Sequence, residues 1–176
     1  MEPAFMDKPG ENSQHIALRP VATTDWPILL KWFRDPAVER WWGNASAAEA
    51  EVRMVLETPS AIGRIIEIGG RPIGYAHAID AAYWGEELPD VLPPLTWDVD
   101  LFIGEAEFRG RKIGGTALDQ LADEVFGSTL AMALSVFVSV RNEAAVRAYE
   151  RAGFQWVTVW EDPIAGPEWL MLRHRP

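Results

Sequence analysis

Two short runs of the chain carry residue types suited to chemistry. The first is Arg109-Gly110-Arg111-Lys112-Ile113-Gly114-Gly115, where an expected strand ends and an expected helix begins. Unpaired backbone N–H groups and the helix dipole make such a junction an anion site. Its glycines let a phosphate approach the backbone closely. It is neither a Walker loop nor a G-x-G-x-x-G dinucleotide fingerprint, and a plain helix-start turn is the other reading. The second run spans Asn142 to Phe154 (NEAAVRAYERAGF), a helix with strong local signals. Asn142 can cap it, Glu143 and Arg147 pair at i,i+4, and Gly153 can close it in the left-handed conformation.

A third feature is electrostatic. Between Pro72 and Phe108 there is no lysine or arginine, and there are eight carboxylates: Asp80, Glu86, Glu87, Asp90, Asp98, Asp100, Glu105 and Glu107. Such a segment would concentrate and orient a polyamine. An acidic stretch is more often a solvated face, and that reading is preferred for Glu105 and Glu107. Trp41, Trp42, Tyr83 and Trp84 could supply apolar and cation–π walls for a charged sugar. His15, His77 and His174 are too scattered to suggest a ligand set, so no metal is expected.

The elements that must position these residues follow from periodicity. A strand is expected over His15–Arg19, then a helix over Trp26–Arg34 with Thr23-Thr24-Asp25 as capping side chains. Pro36 interrupts or restarts that helix, and Ala45–Leu56 reads as another with Ser46 as its cap. Gly63–Ile68, the Gly69-Gly70 turn and Pro72–Ile79 read as a hairpin. Residues 80–95 read as a loop. Thr96–Ile103 alternates, with Trp97, Val99, Leu101 and Ile103 on one face and Asp98, Asp100 and Phe102 on the other. Lys112–Phe126 is an amphipathic helix, and Met132–Val138 a strand buried on both faces. Strands near Gln155–Trp160 and Trp169–Arg173 close the chain. Trp32, Trp97, Trp156, Trp160 and Trp169 are read as core or sheet-face packing.

Composition bounds the partners. The chain has 176 residues, 26 acidic against 16 basic, and a formal charge of −10. That balance argues against a nucleic-acid or anionic-membrane binder. There is no cysteine. Disulfides, thiolate metal sites and a thioester-linked enzyme intermediate are excluded together. Neither a secretory leader nor a run of roughly 18 apolar residues is evident, so a cytoplasmic protein is expected, with residues 1–14 as a loose tail.

Together the two runs resemble the GNAT superfamily of acetyl-coenzyme A N-acetyltransferases. There an R/Q-x-x-G-x-G/A turn binds the coenzyme pyrophosphate, and an N-x-x-A-x-x-x-Y-x-x-x-G-F helix follows the next strand. The match covers Trp97 to Phe154, about a third of the chain. The resemblance implies one α/β domain over residues 15–176: an α+β mixed sheet, mostly antiparallel, splayed near its centre and flanked by helices on both sides. It implies acetyl-coenzyme A as cofactor, held by the strand residues Leu101, Phe102 and Ile103. The turn would contribute Arg109, Gly110, Arg111 and Lys112, and the helix start Ile113, Gly114, Gly115 and Thr116. Asn142 and Tyr149 would complete the coenzyme site.

Within the superfamily, Trp41-Trp42-Gly43, Pro72-Ile73-Gly74-Tyr75-Ala76 and the aromatic-acidic loop look like the type Ib branch of aminoglycoside 6'-N-acetyltransferases. By that resemblance Asp100 is the catalytic carboxylate, ten residues before Gly110, and Tyr149 the general acid. A polycationic aminoglycoside would meet Trp41, Trp42, Tyr75, His77, Tyr83, Trp84, Glu86, Glu87, Asp98 and Asp100. Two positions depart from the pattern. Lys112 stands where the turn usually has its first glycine, and Phe137 where the next strand has an aspartate. Acylation of a siderophore-precursor hydroxylamine or amine, and a non-catalytic coenzyme-binding domain, are the alternatives. A monomer or weak homodimer is expected.

Overall fold

Seven strands form one sheet in the order β1-β2-β3-β4-β5-β7-β6. The computed structural model describes residues 15–84 and 88–176; the expected tail, Glu86 and Glu87 lie outside them. The strands are β1 (Ile16–Pro20), β2 (Ile62–Ile68), β3 (Arg71–Asp80), β4 (Thr96–Ile103), β5 (Ala133–Ser139), β6 (Gln155–Asp162) and β7 (Gly166–His174). The helices are α1 (Trp26–Phe33), α2 (Pro36–Trp42), α3 (Ala45–Glu57), α4 (Ile113–Ser128) and α5 (Glu143–Arg151). Every neighbouring pair of strands is antiparallel except β4 and β5. Those two run parallel and pair only from Thr96↔Ala133 to Asp98↔Ser135. Beyond Asp98 they diverge, and the expected splay opens there.

Each face of the sheet buries its own core. Trp97 and Val99 of β4 join Ile113, Ala117, Leu118, Leu121 and Val125 of α4 and Val146 of α5. Phe102 faces the other way, into a cluster with Leu29, Trp32 and Phe33 of α1 and Val52 of α3. The alternation read from Thr96–Ile103 therefore sorts the strand as expected, and β4 has the bounds read from sequence.

Helix starts bring two corrections. Asn44, not Ser46, caps α3, its Oδ1 accepting from the Ala47 N–H at 3.0 Å. Asp25 does not cap α1. Its carboxylate accepts from the Ala22 N–H at 2.7 Å and both guanidinium ends of Arg19, because an ion pair with hydrogen bonds outcompetes a single cap. Pro36 does restart the chain as α2, behind an Asp35 side chain that accepts from the Ala37 N–H at 2.8 Å. No described helix is long and apolar enough to cross a membrane.

Candidate active site

The splay makes a cavity of about 320 Å³. One wall is the freed end of β4, Asp100 to Ile103, and the opposite wall is Phe137, Val138 and Ser139 of β5. Gly110 and Gly114 close one end, Trp41 and Trp42 of α2 cover another, and Ala144, Ala145, Ala148 and Tyr149 of α5 form the floor. The helix motif explains this floor. Asn142 caps α5 by accepting from the Ala145 N–H at 3.2 Å, and Gly153 closes it at φ 83°. Alanines face the cavity between them, so the helix lies close without filling it.

Asp100 and Tyr149 meet across the splay. The buried Tyr149 hydroxyl donates to Asp100 Oδ1 at 3.2 Å, and the same oxygen accepts from the Leu101 N–H at 2.7 Å. Burial raises Asp100 well above the ordinary carboxylate range, and the charges of Glu51 and Asp98 push it further. Burial likewise raises the Tyr149 phenol, with Asp100 adding to the effect. At neutral pH Tyr149 therefore keeps its proton.

Asp98 lies on the same face of β4, as the register Ile79↔Asp98 and His77↔Asp100 requires. It accepts from Ser135 Oγ at 2.9 Å. Burial is the main force lifting its carboxyl to about 7. Two further acids complete the group, and neither was expected. Glu51 of α3 is raised to about 7 by burial, although its side chain keeps 32% of its surface. Glu168 of β7, opposite Ser139, is raised to about 7 by burial and by Asp162. No lysine or arginine among the described residues pairs with any of the four; Glu51 meets only His77 Nε2, at 3.7 Å.

The other expected substrate contacts divide. Trp41 and Trp42 line the cavity. Tyr75 and His77 do not: both are fully buried behind Trp42, whose ring centroid lies 6.0 Å from Tyr75 and 5.7 Å from His77. Their strand is central in the sheet, so the residues facing α2 are covered by it. The Tyr75 hydroxyl and both His77 nitrogens find no hydrogen-bond partner, and burial lowers His77 to about 4, leaving it neutral. Trp84 turns its indole N–H toward Asp98 without reaching hydrogen-bond geometry. Tyr83 is 56% exposed on a short 3-10 turn, outside the cavity.

The sequence matches the family described as acetyltransferase (GNAT) domain over residues 21–161. The chain belongs to the GNAT acetyltransferase family. It is an acetyl-coenzyme A-dependent N-acetyltransferase, as the resemblance implied. Two curated relatives are aminoglycoside N(6')-acetyltransferases type 1, from Klebsiella pneumoniae and Serratia marcescens. Each is 26% identical over 155 residues, 82% of this chain and 76% of the relative. Solved structures of aminoglycoside acetyltransferase AAC(6')-Ib superpose on this GNAT domain with a TM-score of 0.80. One holds coenzyme A, the other coenzyme A and kanamycin; identities are 26% and 25%, over 92% of this chain and 95% of theirs. A spermidine N-acetyltransferase from Vibrio cholerae, 17% identical with a TM-score of 0.72, shares the fold.

The turn of this GNAT domain fits a coenzyme phosphate. Helices α2, α3 and α5 each begin with a side chain that accepts from the first turn, whereas α4, like α1, begins with none. Its first N–H groups have no side-chain acceptor, the arrangement that suits an anion. A Cβ at Gly110 or Gly115 would meet no atom within 4 Å, so the outer side of the turn is open. Lys112 keeps the backbone path that glycine usually provides, at φ 63° and ψ 9°, at a cost of about 1 kcal/mol for a side chain in that region. Arg111, Lys112 and Thr116 are exposed around it. Ile113, the first residue of α4, is buried in the core, so any coenzyme contact there is through its backbone. Arg109 lines the cavity, but its guanidinium is bonded to Asp35 and to the Ile103 and Gly104 carbonyls.

Glu51 and Glu168 escaped the sequence reading, although each carried a signal. Glu51 sits three residues after Ala48, beside the stripe that buries Ala48, Val52 and Val55. Glu168 shares a strand face with the buried Leu170 and Leu172. A charge in step with buried positions is the pattern to look for.

Proposed function

We propose that this acetyltransferase moves the acetyl group of acetyl-coenzyme A to an amine of an aminoglycoside, most specifically the 6'-amine, and so confers resistance. One observation carries the reading: Glu51, Asp98, Asp100 and Glu168 converge with no described cation to balance them. Leaving them unbalanced is costly, and a ligand with several ammonium groups removes that cost. The aromatic cover of Trp41 and Trp42 suits the apolar faces of a sugar. The relatives named above, two of them aminoglycoside 6'-acetyltransferases, support the same substrate class.

Acetyl-coenzyme A, when bound, supplies the activated acyl group, with the α4 turn and the freed edge of β4 as its holding residues. The chain supplies the proton chemistry. An ammonium is not a nucleophile until it loses a proton. Burial favours the protonated form of Asp100 in the free cleft, but an ammonium beside it favours the carboxylate, whose proton leaves to solvent as the amine binds. Asp100 then accepts the proton, directly or through a water. Tyr149, still protonated, holds a proton at its hydroxyl for the departing sulfur. Because the chain has no cysteine, Asp100 and Tyr149 act on a direct transfer.

The test is thiol release from acetyl-coenzyme A with kanamycin, a 6'-hydroxyl aminoglycoside, a lysine-derived hydroxylamine and a basic peptide. Turnover of kanamycin but not of the 6'-hydroxyl drug is expected. Turnover of the hydroxylamine alone would replace this reading with the siderophore-type one.

A further inference from the structure

Arg109 opens the coenzyme turn, and its side chain spans two parts of the cavity. Its Nε donates to the Ile103 carbonyl at 2.8 Å, and its Nη2 to the Gly104 carbonyl at 2.7 Å. The same Nη2 reaches Asp35 Oδ2 at 3.0 Å, and Nη1 lies 3.5 Å from Oδ1. A guanidinium has five N–H donors in a rigid fork. Four contacts engage this one, all of them within the protein.

Both ends of the link are anchored. Asp35 is the cap of α2: its side chain accepts from the Ala37 N–H, and its carbonyl accepts from the Val38 and Glu39 N–H groups, both at 2.9 Å. On the other side the Gly104 N–H donates to the Ile73 carbonyl at 2.8 Å. The Trp32 ring also packs so close to Gly104 that a Cβ there would lie 2.3 Å from it. Helix α2 carries Ala37, Val38, Trp41 and Trp42 on the cavity, opposite Gly110 and Gly114 of the turn.

We infer that Arg109 is a positioning residue, a strut that ties the aromatic cover of α2 to the coenzyme turn, and not a phosphate ligand. The arrangement of Trp41 and Trp42 over the amine site then depends on the state of the turn. Ordering the turn with coenzyme would order the cover. The idea needs only the coenzyme, so it stands or falls apart from the identity of the amine.

The experiment compares wild type, Asp35→Asn, Arg109→Gln and the double variant, with unligated melting curves to verify folding. Calorimetry gives the coenzyme A affinity, and hydrogen exchange reads residues 37–43 and 104–115 with and without coenzyme A. A strut predicts that both single variants change coenzyme affinity alike, by less than about threefold, with the double variant no worse. It predicts that coenzyme A protects both segments in wild type but only 104–115 in the variants. Arg109→Lys keeps the charge and loses the fork, so it should behave like Arg109→Gln. A phosphate ligand gives the opposite pattern: Arg109→Gln loses coenzyme affinity tenfold or more while Asp35→Asn keeps or improves it. That pattern, or protection of 37–43 surviving in the variants, would overturn the inference.

Discussion

Two acidic regions of this enzyme have the same residue types and opposite fates. At the end of β4, Glu105 accepts from Lys31 Nζ and from the Trp32 indole N–H, both at 2.9 Å, and lies 3.6 Å from Arg71. Glu107 pairs with Arg71 as well. The hydrogen bonds from Trp32 and Lys31 hold Glu105 below the ordinary glutamate range. Asp100 and Glu168 on the cavity, and Glu51 and Asp98, whose charges act on Asp100, have no cationic partner and are all raised. The first region has completed its interactions on folding. The second has no cation to balance it among the described residues. Acidic density along the chain does not separate the two, since Glu105 and Asp100 lie five residues apart. Partnership does.

The sharpest way to break this contrast is at Asp100. Asp100→Asn keeps the shape and removes the proton acceptor, so kcat/KM should fall by about 10²–10⁴. Thiol release under saturating acetyl-coenzyme A measures it. A near-normal rate would take Asp100 out of the chemistry and leave it as one more binding charge.

Removing a neighbour should act on binding. Glu51→Gln or Asp98→Asn deletes one charge-assisted contact of about 1.5–3 kcal/mol, which raises the KM of a polycation roughly tenfold or more. A monoamine should be affected less. The dependence on pH has a definite sign. With Glu51, Asp98 and Glu168 raised to about 7, these three become anionic only as pH rises through 7, so polycation KM should fall between pH 6 and 8. The unligated fold should show the reverse. These acids bind more protons folded than unfolded, so stability is present at low pH and lost as pH rises through about 7. His77, lowered to about 4, opposes this only below its ordinary value, where its contribution to stability grows as pH rises. Melting curves at pH 6 and 8, with and without kanamycin, should show the loss and its reversal. A pH-independent melting point would mean that the cleft acids are already balanced.

The legibility of the sequence follows the same division. Strand β4 and the α5 motif could be read because alternation, a cap and a closing glycine are local signals. The meeting of Asp100 and Tyr149, 49 residues apart, could be read because a motif resemblance placed both at one site. The rest of the acid cluster could not, because Glu51 and Glu168 come from a helix and a strand that only the sheet brings together. Tyr75 and His77 were misplaced for a related reason. A strand pattern gives the face but not what covers it, and here Trp42 does. Arg109 is the subtlest case: the motif marks the position, while its role depends on Asp35, 74 residues earlier.

The smallest effect is expected from the completed region, and it sets the scale for the others. Glu105→Gln removes a charge that Lys31 and Arg71 neutralise, but the amide oxygen can still accept from Trp32. Lys31 is 67% exposed and Arg71 55%, so solvent screens both pairs. The loss should be about 1 kcal/mol, chiefly the weakened bond to the buried Trp32, which is about 2–4 °C in melting temperature for a domain of this size. Because the wild-type carboxyl is held low, its contribution is present above the ordinary glutamate range and is lost as pH falls through it. The two melting points should therefore converge in acid. Amine KM should not move. If Glu105→Gln raised the polycation KM as Glu51→Gln does, partnership would not be what separates the two regions, and long-range charge alone would govern the cleft.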